Sequence, residues 1–343
     1  MRKGHERNRE RAIARISRVK PWGELPRGSS ASEGVFLIDK DQGVTSHDVV
    51  GAMRRLGATR QVGHAGTLDP MATGLLIIAT GRTTKLIQYL VGAEKTYTAR
   101  ICLGVGSDTD DADGALYAAD APDVDAARVD AAIADLTGEI MQVPATVSAI
   151  KVDGLRAHDL ARAGQDVQLA ARPIHIHRFE RTSDLVSGFA TVAGTPVPTV
   201  EFDVVVTASA GTYVRALARD LGRALGTQAH LTELRRTRIG PWDVADAARV
   251  SDLRDIALRG DSLPAAPMDE VCNAVFPVIA IDDAEEAALS NGIFIDAREP
   301  VSWGARSEAW PAAAFNGDRP IALVSPRAGK LKPDLQLAPQ PRG

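Results

Sequence analysis

Residues 61–85 read QVGHAGTLDPMATGLLIIATGRTTK, and this stretch is the most informative part of the chain. A glycine-rich loop at residues 63–74 runs into an apolar segment that predicts a strand at residues 75–79. One carboxylate, Asp69, stands within the loop directly before Pro70. Proline restricts the backbone of the preceding residue, and glycine lets a ligand approach the chain closely. The pattern indicates a constrained acid that a substrate can reach, and a turn with a capping aspartate is the alternative.

Length and composition predict a soluble protein of two domains. The chain has 343 residues, of which 45% are hydrophobic and 24% are charged. No apolar run approaches the roughly 18 residues that a spanning helix needs, and the N-terminus lacks the apolar core of a secretory signal. The two cysteines, Cys102 and Cys272, are far apart and have no metal-site spacing. We therefore predict a cytoplasmic protein with no membrane association and no disulfide or zinc framework.

The charge is distributed unevenly along the chain. Its net charge of −4 argues against a surface that binds nucleic acid throughout. Residues 1–20, however, carry eight Lys or Arg against two Glu. We predict that residues 1–33, which lack periodic apolar positions, form a basic disordered tail and linker. Contact with a polyanion and a purely solubilising role both remain open for this tail.

Between residues 34 and 270 the hydrophobic pattern predicts a mixture of strands and helices. Thr45 and Asp48 predict a capping box at the start of a helix. Further apolar patterns predict strands at 34–39, 94–104, 173–180 and 199–207, a helix at 124–137, a hairpin loop at 183–198, and a β-rich unit with a turn-rich middle beyond 276.

Residues 107–114, SDTDDADG, form an acidic loop that resembles part of a calcium site. An EF-hand loop needs carboxylates at its first, third and fifth positions and a glutamate at its twelfth. Those positions hold Thr109, Asp111, Asp113 and Asp120 here. The first ligand is wrong and the last is too short, so we predict a structural turn and no metal.

The stretch SAGTYVRALARDLG at residues 209–222 predicts a strand end followed by a helix from about Thr212. Arg215 then lies in the first helical turn, where the helix dipole disfavours a cation. An arginine at this position indicates an anionic partner elsewhere in the fold, and a surface arginine is the alternative.

A basic cluster occurs in LTELRRTRI at residues 231–239, where Arg235, Arg236 and Arg238 follow Leu234. These arginines fit phosphate contacts with a nucleic acid. They equally fit a solvated edge strand whose charges prevent aggregation.

The string GHAGTLDPMATG at residues 63–74 closely resembles the catalytic motif of the TruB family of tRNA pseudouridine synthases. Other matching strings follow in the family's order, so the resemblance covers roughly residues 33–270: they lie at 34–40, 94–104, 107–114, 148–151, 209–215 and 231–239. The resemblance implies an α+β pseudouridine synthase fold, with a mixed, mostly antiparallel central sheet flanked by helices. It implies a catalytic domain at 34–270, a thumb-like insertion at about 145–173, and a β-rich, PUA-like RNA-binding domain at 276–338.

The resemblance also implies an activity, namely the isomerisation of uridine 55 in the TΨC loop of tRNA to pseudouridine without a cofactor or metal. Asp69 matches the catalytic carboxylate, Arg215 the arginine that pairs with it, and Tyr97 the tyrosine that stacks on the base. Whether Asp69 attacks the sugar C1′ or removes the C2′ proton stays open. The remaining matches fall at substrate-binding or supporting positions: His64, which enters the RNA loop as the base leaves, Leu234 in the pocket wall, Asp111 in a polar network, and Lys85, Lys151 and Tyr213.

The expected partner is tRNA, bound through its TΨC stem-loop. No obligate protein partner is expected, and the chain is expected to be a monomer. Two alternatives remain open, namely an RNA-binding or tRNA-folding module whose chemistry is secondary, and a pseudouridine synthase for another RNA. The basic segment at residues 1–20 departs from the family core, and the C-terminal unit matches the family only loosely.

Overall fold

The computed structural model describes residues 20–28, 31–145, 151–152, 155–156, 169–305 and 310–338. The α-helices in these residues are α1 (Ser46–Leu56), α2 (Ile87–Val91), α3 (Ala126–Asp135), α4 (Val214–Ala224), α5 (Val250–Leu258), α6 (Met268–Val275) and α7 (Asp283–Ser290). Short 3-10 helices lie at Gly81–Leu86 and Val244–Asp246. The part of the chain described contains no helix long and apolar enough to cross a membrane.

The strands fall into two principal groups along the chain. The first group contains β1 (Gly34–Lys40), β2 (Val62–His64), β3 (Thr73–Thr80), β4 (Lys95–Leu103), β5 (Val105–Ser107), β6 (Leu116–Ala118), β7 (Gly138–Gln142), β8 (Lys151–Val152), β9 (Leu155–Arg156), β10 (Arg172–Arg181), β11 (Val186–Val192), β12 (Thr195–Ala208), β13 (Ala229–Ile239) and β14 (Trp242–Asp243). The second contains β15 (Val278–Ala280), β16 (Ile295–Asp296), β17 (Ala312–Asn316), β18 (Arg319–Arg327) and β19 (Lys330–Gln336).

A ten-stranded sheet organises the larger part of the molecule. Its main order is β1-β3-β13-β4-β12-β10-β7, and β2, β11 and β14 join at β3, β12 and β13. The β3–β13 pair is parallel, whereas the other pairs are antiparallel. The prediction of a mixed, mostly antiparallel sheet is therefore confirmed. The register aligns Thr73 with Arg235 and Arg235 with Thr98, so the Asp69 loop enters the sheet next to its central strands.

Strand β3 is buried on both faces, which explains its uninterrupted apolar run. Leu76 and Ile78 pack in the core shared with α1, α3, α4 and α5. Leu75 and Ile77 pack on the opposite side, against residues of α6 and the C-terminal unit. The Asp69 loop is therefore joined directly to one of the most buried strands of the protein.

The predicted disordered linker requires a correction at residues 20–28. Trp22 is 4% exposed and Leu25 is 8% exposed, and both belong to the main core. Arg254 Nη1 donates to the Trp22 carbonyl at 2.7 Å, and Lys20 pairs with Asp48 at 2.8 Å. Two apolar side chains three positions apart carry too little periodicity to be recognised, yet they fill a site next to α1. Residues 1–19 lie outside the described residues.

The predicted loop at residues 183–198 is also wrong in its extent. Strand β11 and the first part of β12 occupy most of it and pair across the turn at Ala193 and Gly194. Glycine and proline within the segment suggested a loop. Pro196 and Pro198, however, lie in the part of β12 that pairs with β11 alone, where a missing amide donor is tolerated.

The C-terminal unit is a five-stranded sheet in the order β15-β17-β18-β19-β16, with α7 beside it, which confirms the predicted β-rich unit. Its predicted turn-rich middle contains β17, where Ala312, Ala313 and Ala314 are fully buried. Alanine is depleted in strands, so composition did not reveal this one. Most of the predicted thumb-like insertion lies outside the described residues.

Candidate active site

The loop that carries Asp69 is fixed to the start of α1. The Ser46 hydroxyl is buried, accepts from the Leu68 amide at 2.8 Å and donates to the Leu68 carbonyl at 3.0 Å. The Gly43 amide donates to the Pro70 carbonyl at 2.8 Å. The predicted capping box of Thr45 and Asp48 is present and holds this end of α1. The residues on both sides of Asp69 are thus held in place by hydrogen bonds.

Arg236 fixes the same loop from the central sheet. Arg236 is 1% exposed, and its guanidinium donates to the carbonyls of Leu75 at 2.7 Å, Gly66 at 3.1 Å and Thr67 at 3.4 Å. The phosphate-contact hypothesis is wrong for Arg236, because RNA cannot reach a buried side chain. The edge-strand alternative is wrong as well, since β13 lies between β3 and β4.

The other two arginines of this cluster differ from Arg236. Arg235 forms a two-pronged pair with Asp39, with both hydrogen bonds at 2.9 Å. Arg238 donates from Nε to the Gly240 carbonyl at 3.1 Å and is exposed. Only local packing separates the three roles, so the sequence offered no basis for telling them apart.

Gly74 permits the close contact between this loop and β13. Its φ is +98°, and a Cβ atom there would lie 2.2 Å from the Arg236 carbonyl oxygen. A side chain at this position therefore clashes with the backbone that carries Arg236, in addition to straining its own backbone.

Arg215 lies in the first turn of α4 and brings three groups together. Its Nε is 2.9 Å from Asp69 Oδ2, and its Nη1 is 3.3 Å from Asp111 Oδ2. Nη1 also donates to the Thr109 carbonyl at 2.8 Å. Arg215 is 4% exposed, whereas the Asp69 side chain is 35% exposed. The planar guanidinium thus fixes one face of a carboxylate whose other face stays accessible.

The electrostatic environment of Asp69 contains opposing contributions. The surrounding protein displaces water and raises the pKa of Asp69 above its ordinary value, although part of the side chain stays exposed. Arg215 opposes this rise, Asp111 adds to it, and Lys40 opposes it. Burial disfavours an isolated carboxylate charge, so Asp69 depends on its neighbouring cations to stay ionised.

Lys40 is the nearby cation that the sequence analysis missed. It is the last residue of β1, is 1% exposed, and donates from Nζ to the carbonyls of Asp41 at 3.0 Å and Val44 at 2.8 Å. Burial lowers the pKa of Lys40 to about 8, and the Asp69 carboxylate is the strongest opposing influence. A lysine directly after an apolar strand, close to the predicted loop, was the available indication.

Tyr97 and Leu234 lie in neighbouring strands and face the same core. Each is 8% exposed, and both share a hydrophobic cluster with Leu68, the residue before Asp69. In the register of β4 and β13, Tyr97 stands opposite Arg236. These contacts place an aromatic ring and an apolar side chain next to the loop that carries the carboxylate.

The other predicted site residues lie in several different elements of the structure. His64 ends β2 and is half-buried, and burial followed by the Arg236 charge lowers its pKa. Tyr213 is the N-cap of α4, two residues before Arg215. The Lys85 amine donates to the Gln336 carbonyl of the C-terminal sheet at 3.1 Å. Lys151 lies in the short β8–β9 hairpin, and its side chain is outside the described residues.

The acidic loop directs two carboxylates at arginines of α4. Asp111 contacts Arg215, and Asp110 Oδ2 is 3.1 Å from Arg219 Nη1. This arrangement supports the structural-turn interpretation of residues 107–114. The described residues contain no group of three or more His, Cys, Asp or Glu side chains arranged to hold a metal ion.

Comparison with known families matches the chain in two consecutive segments. Residues 54–214 match the N-terminal domain of the TruB family of pseudouridylate synthases. Residues 215–275 match the C-terminal domain of tRNA pseudouridylate synthase B. The division falls between Val214 and Arg215, at the start of α4.

Curated relatives share much of the chain. The tRNA pseudouridine synthase B of Arthrobacter sp. (strain FB24) is 46% identical over 310 residues, which cover 89% of this chain and 97% of the relative. The tRNA pseudouridine synthase B of Nocardia farcinica is 50% identical over 264 residues, which cover 77% and 82% of the two chains.

Solved structures share the fold. A chain in a Cbf5-Nop10-Gar1 complex superposes with a TM-score of 0.63 and covers 95% of this chain and 92% of its own length. A chain from an H/ACA RNP bound to a substrate RNA has a TM-score of 0.61, with 90% and 86% covered. Their identities to this chain are 24% and 22%, so this likeness concerns the fold alone.

Proposed function

The chain belongs to the TruB family of pseudouridylate synthases, and we propose that it isomerises uridine 55 in the TΨC loop of tRNA to pseudouridine. The contact between Arg215 Nε and Asp69 Oδ2 at 2.9 Å carries this proposal. It joins a partly accessible carboxylate to a buried cation, and both side chains come from the strings that resemble the family motifs. Such a pair supplies an ionised carboxylate in a site from which water is partly displaced.

The reaction breaks the N1–C1′ bond and forms a C5–C1′ bond in its place. Ionised Asp69 either attaches to C1′ and is displaced later by C5, or removes the C2′ proton so that a glycal forms. In both routes the base rotates before C5 joins C1′, N1 gains a proton, and C5 loses its proton to solvent. In the glycal route Asp69 also returns the proton to C2′ as the C5–C1′ bond forms, which restores its charge. Both routes require the charged carboxylate, and Arg215 stabilises that form.

The target base has to leave its stack in the RNA before Asp69 can reach it, at a cost of about a few kcal/mol. We assign His64 to the space that the base leaves, as its match to the family motif implies. Burial lowers the pKa of His64 and so disfavours the charged imidazolium. Tyr97 stacks on the extruded base, and Leu234 packs beside it, as expected for an unpaired RNA base held by an aromatic ring.

The remaining residues support this centre or contact the RNA. Asp111 and Tyr213 act through Arg215, because Asp111 contacts its guanidinium and Tyr213 precedes it in the chain. We assign Lys151 to the RNA, in an insertion at about 145–173 that clamps the stem-loop. Lys85, which contacts Gln336, supports the C-terminal unit instead. No cofactor or metal takes part.

We further propose that the unit at residues 276–338 is PUA-like and contacts tRNA outside the TΨC loop. The basic residues at 1–20 supply phosphate contacts that weaken as salt concentration rises. The enzyme acts as a monomer in the cytoplasm, without an obligate protein partner. These assignments follow from the family and from the uneven distribution of charge.

A substrate comparison tests the proposed reaction. The purified protein is incubated with unmodified tRNA, with the same tRNA carrying cytidine at position 55, with an isolated TΨC stem-loop, and with ribosomal RNA fragments, all labelled with tritium at uridine C5. Tritium release is expected from the first and third RNAs only. No release from tRNA would overturn the proposal, and preferential release from ribosomal RNA would support the alternative substrate.

A separate assay distinguishes an enzyme from a tRNA-folding module. The Asp69→Asn variant is expected to lose tritium release while it still assists folding of the tRNA transcript, if it assists folding at all. Unchanged release by this variant would contradict the assignment of Asp69.

A further inference from the structure

The end of β7 contacts the helix that carries Arg215 at two points. Gln142, the last residue of β7, is 2% exposed. Its Nε2 donates to the Tyr213 carbonyl at 3.1 Å, and its Oε1 accepts from the Tyr213 amide at 2.9 Å. One side-chain amide therefore binds both backbone groups of the residue that caps α4.

The second contact lies one residue further along the chain. Arg219 Nη2 donates to the Val143 carbonyl at 2.7 Å, and its Nη1 contacts Asp110. Tyr213 and Arg219 stand on either side of Arg215 in the sequence of α4. The N-cap and the second turn of α4 are thus attached to Gln142 and Val143, at the end of β7, on either side of the residue that pairs with Asp69.

These contacts hold the backbone position from which the Arg215 side chain extends. The Tyr213 carbonyl also accepts the helical hydrogen bond of Leu217 at 3.1 Å, so Gln142 binds a group that belongs to the helix itself. The Arg215 guanidinium must contact three oxygen atoms at once, which belong to the Asp69 carboxylate, the Asp111 carboxylate and the Thr109 carbonyl. A small displacement of the helix start therefore disturbs the whole arrangement.

We propose that Gln142 is a positioning residue that holds the start of α4 so that Arg215 meets Asp69. The inference rests on the proposed function, because it assigns a task within the same site. β7 is the last strand in the main order of the sheet, and the chain after it leads through Pro144 and Ala145 towards the segment assigned to RNA clamping. The position of Arg215 consequently depends on the strand that enters this segment.

The Gln142→Met variant tests the proposal, because methionine matches the size of glutamine and lacks both hydrogen-bonding groups. The exposed residue Glu139 lies on the same strand, so Glu139→Gln serves as the matched control. For Gln142→Met we expect turnover to fall about 100-fold, as for a 1 Å misplacement of a catalytic group, with KM changed less than threefold. The acid side of its pH–rate profile should move to higher pH, because a more distant Arg215 lowers the Asp69 pKa less. Glu139→Gln should match the wild type in both respects.

A double-mutant cycle separates positioning from a general loss of structure. If Gln142 acts through Arg215, Gln142→Met should cost less than threefold once Arg215 is already lysine, since interacting residues are not additive. An equal loss in both backgrounds would overturn the proposal.

A crystal structure of Gln142→Met provides a readout that does not depend on the substrate. The Arg215 Nε–Asp69 Oδ2 separation should exceed hydrogen-bonding distance, and a separation that stays at 2.9 Å would overturn the positioning role. Absence of wild-type activity on tRNA would instead reject the proposed function and leave this structural result intact.

Discussion

Two arginine–aspartate pairs lie one turn apart on α4 and differ in how far solvent reaches them. Arg215 is 2.9 Å from Asp69, and Arg219 is 3.1 Å from Asp110. The Asp69 side chain is 35% exposed, whereas that of Asp110 is 12% exposed. Both arginines are largely enclosed, so the difference between the pairs lies in the carboxylates.

The two carboxylates share the same electrostatic conflict. Burial raises the pKa of both Asp69 and Asp110, and in each case the paired arginine opposes the rise. The two carboxylates differ in solvent accessibility, and only a carboxylate with an open face can touch a substrate. Asp110 instead closes its own loop at a φ of +60°, and this loop presents Asp111 and the Thr109 carbonyl to Arg215. An arginine–aspartate salt bridge therefore indicates a catalytic carboxylate only when one face of that carboxylate is open to a substrate.

The largest expected effect comes from neutralising each carboxylate in turn. Asp69→Asn should reduce turnover by about 10⁴-fold, the scale seen when a group that takes part in the chemistry is removed. Affinity for tRNA should stay within about threefold, because the change preserves shape. Asp110→Asn should mainly lower the free energy of unfolding, by about 1–3 kcal/mol, because Arg219 loses one of its two carboxylate partners and keeps Asp220. Tritium release, filter binding and urea denaturation measure these quantities.

The two variants also serve as controls for each other. Catalysis per folded molecule should remain within about tenfold of wild type for Asp110→Asn, since this carboxylate does not touch the substrate. If Asp110→Asn lost as much turnover as Asp69→Asn, the division between an accessible and an enclosed pair would be wrong.

A smaller loss of turnover is expected when Arg215 is replaced. Arg215→Ala should reduce turnover by about 10²–10³-fold, with a much smaller effect on tRNA affinity. Arg215 lowers the pKa of Asp69, so its removal raises that pKa further, and the acid side of the pH–rate profile should move to higher pH. Arg215→Lys is the matched variant, because it keeps the charge but loses the planar guanidinium.

The direction of this pH change is the decisive result. Arg215→Lys should move the acid side less than Arg215→Ala while still losing turnover, because one ammonium cannot meet Asp69, Asp111 and the Thr109 carbonyl together. An acid side at the wild-type position in Arg215→Ala would show that the pair does not control the charge of Asp69.

Much of the fold and the centre of the site followed from the sequence. The Asp69 loop and the capping box of α1 were predicted because each depends on local patterns, whereas the mixed, mostly antiparallel sheet was implied by the family resemblance. The family resemblance supplied Arg215 as the partner of Asp69, and the structure places the two in contact. Roles beyond this contact stay predictions for Tyr97, His64 and the other assigned positions.

The contacts that hold the site were not predictable from local patterns. Arg236 reaches Leu75 across 161 positions of the sequence, and Gln142 reaches Tyr213 across 71. Nothing near either residue indicates its partner, so the sequence favours only a phosphate contact or a solvated edge strand for Arg236 and does not single out Gln142. Trp22 was missed for a similar reason, since its burial depends on a site that α1 and α5 form far along the chain.

The smallest expected effect concerns Lys40, the second cation that faces Asp69. Burial lowers the Lys40 pKa from 10.5 to about 8 in the folded protein. Between these values the unfolded chain holds more protons than the folded protein, so this group makes the free energy of unfolding rise with pH. Lys40→Met should lack that rise, and the other titrating groups cancel when the two proteins are compared.

Urea denaturation at about pH 7.5 and about pH 9.5 measures the difference. The wild type should gain about 2 kcal/mol relative to Lys40→Met over this interval, because one pKa unit corresponds to about 1.4 kcal/mol. Asp69 raises the Lys40 pKa, so in Asp69→Asn the gain should begin at a lower pH. Asp110→Asn should leave the onset near its wild-type position, because Asp110 faces Arg219 and Arg215 instead. If the onset pH shifted equally in both variants, the Lys40 pKa would depend on the total charge of the protein and not on the Asp69 carboxylate.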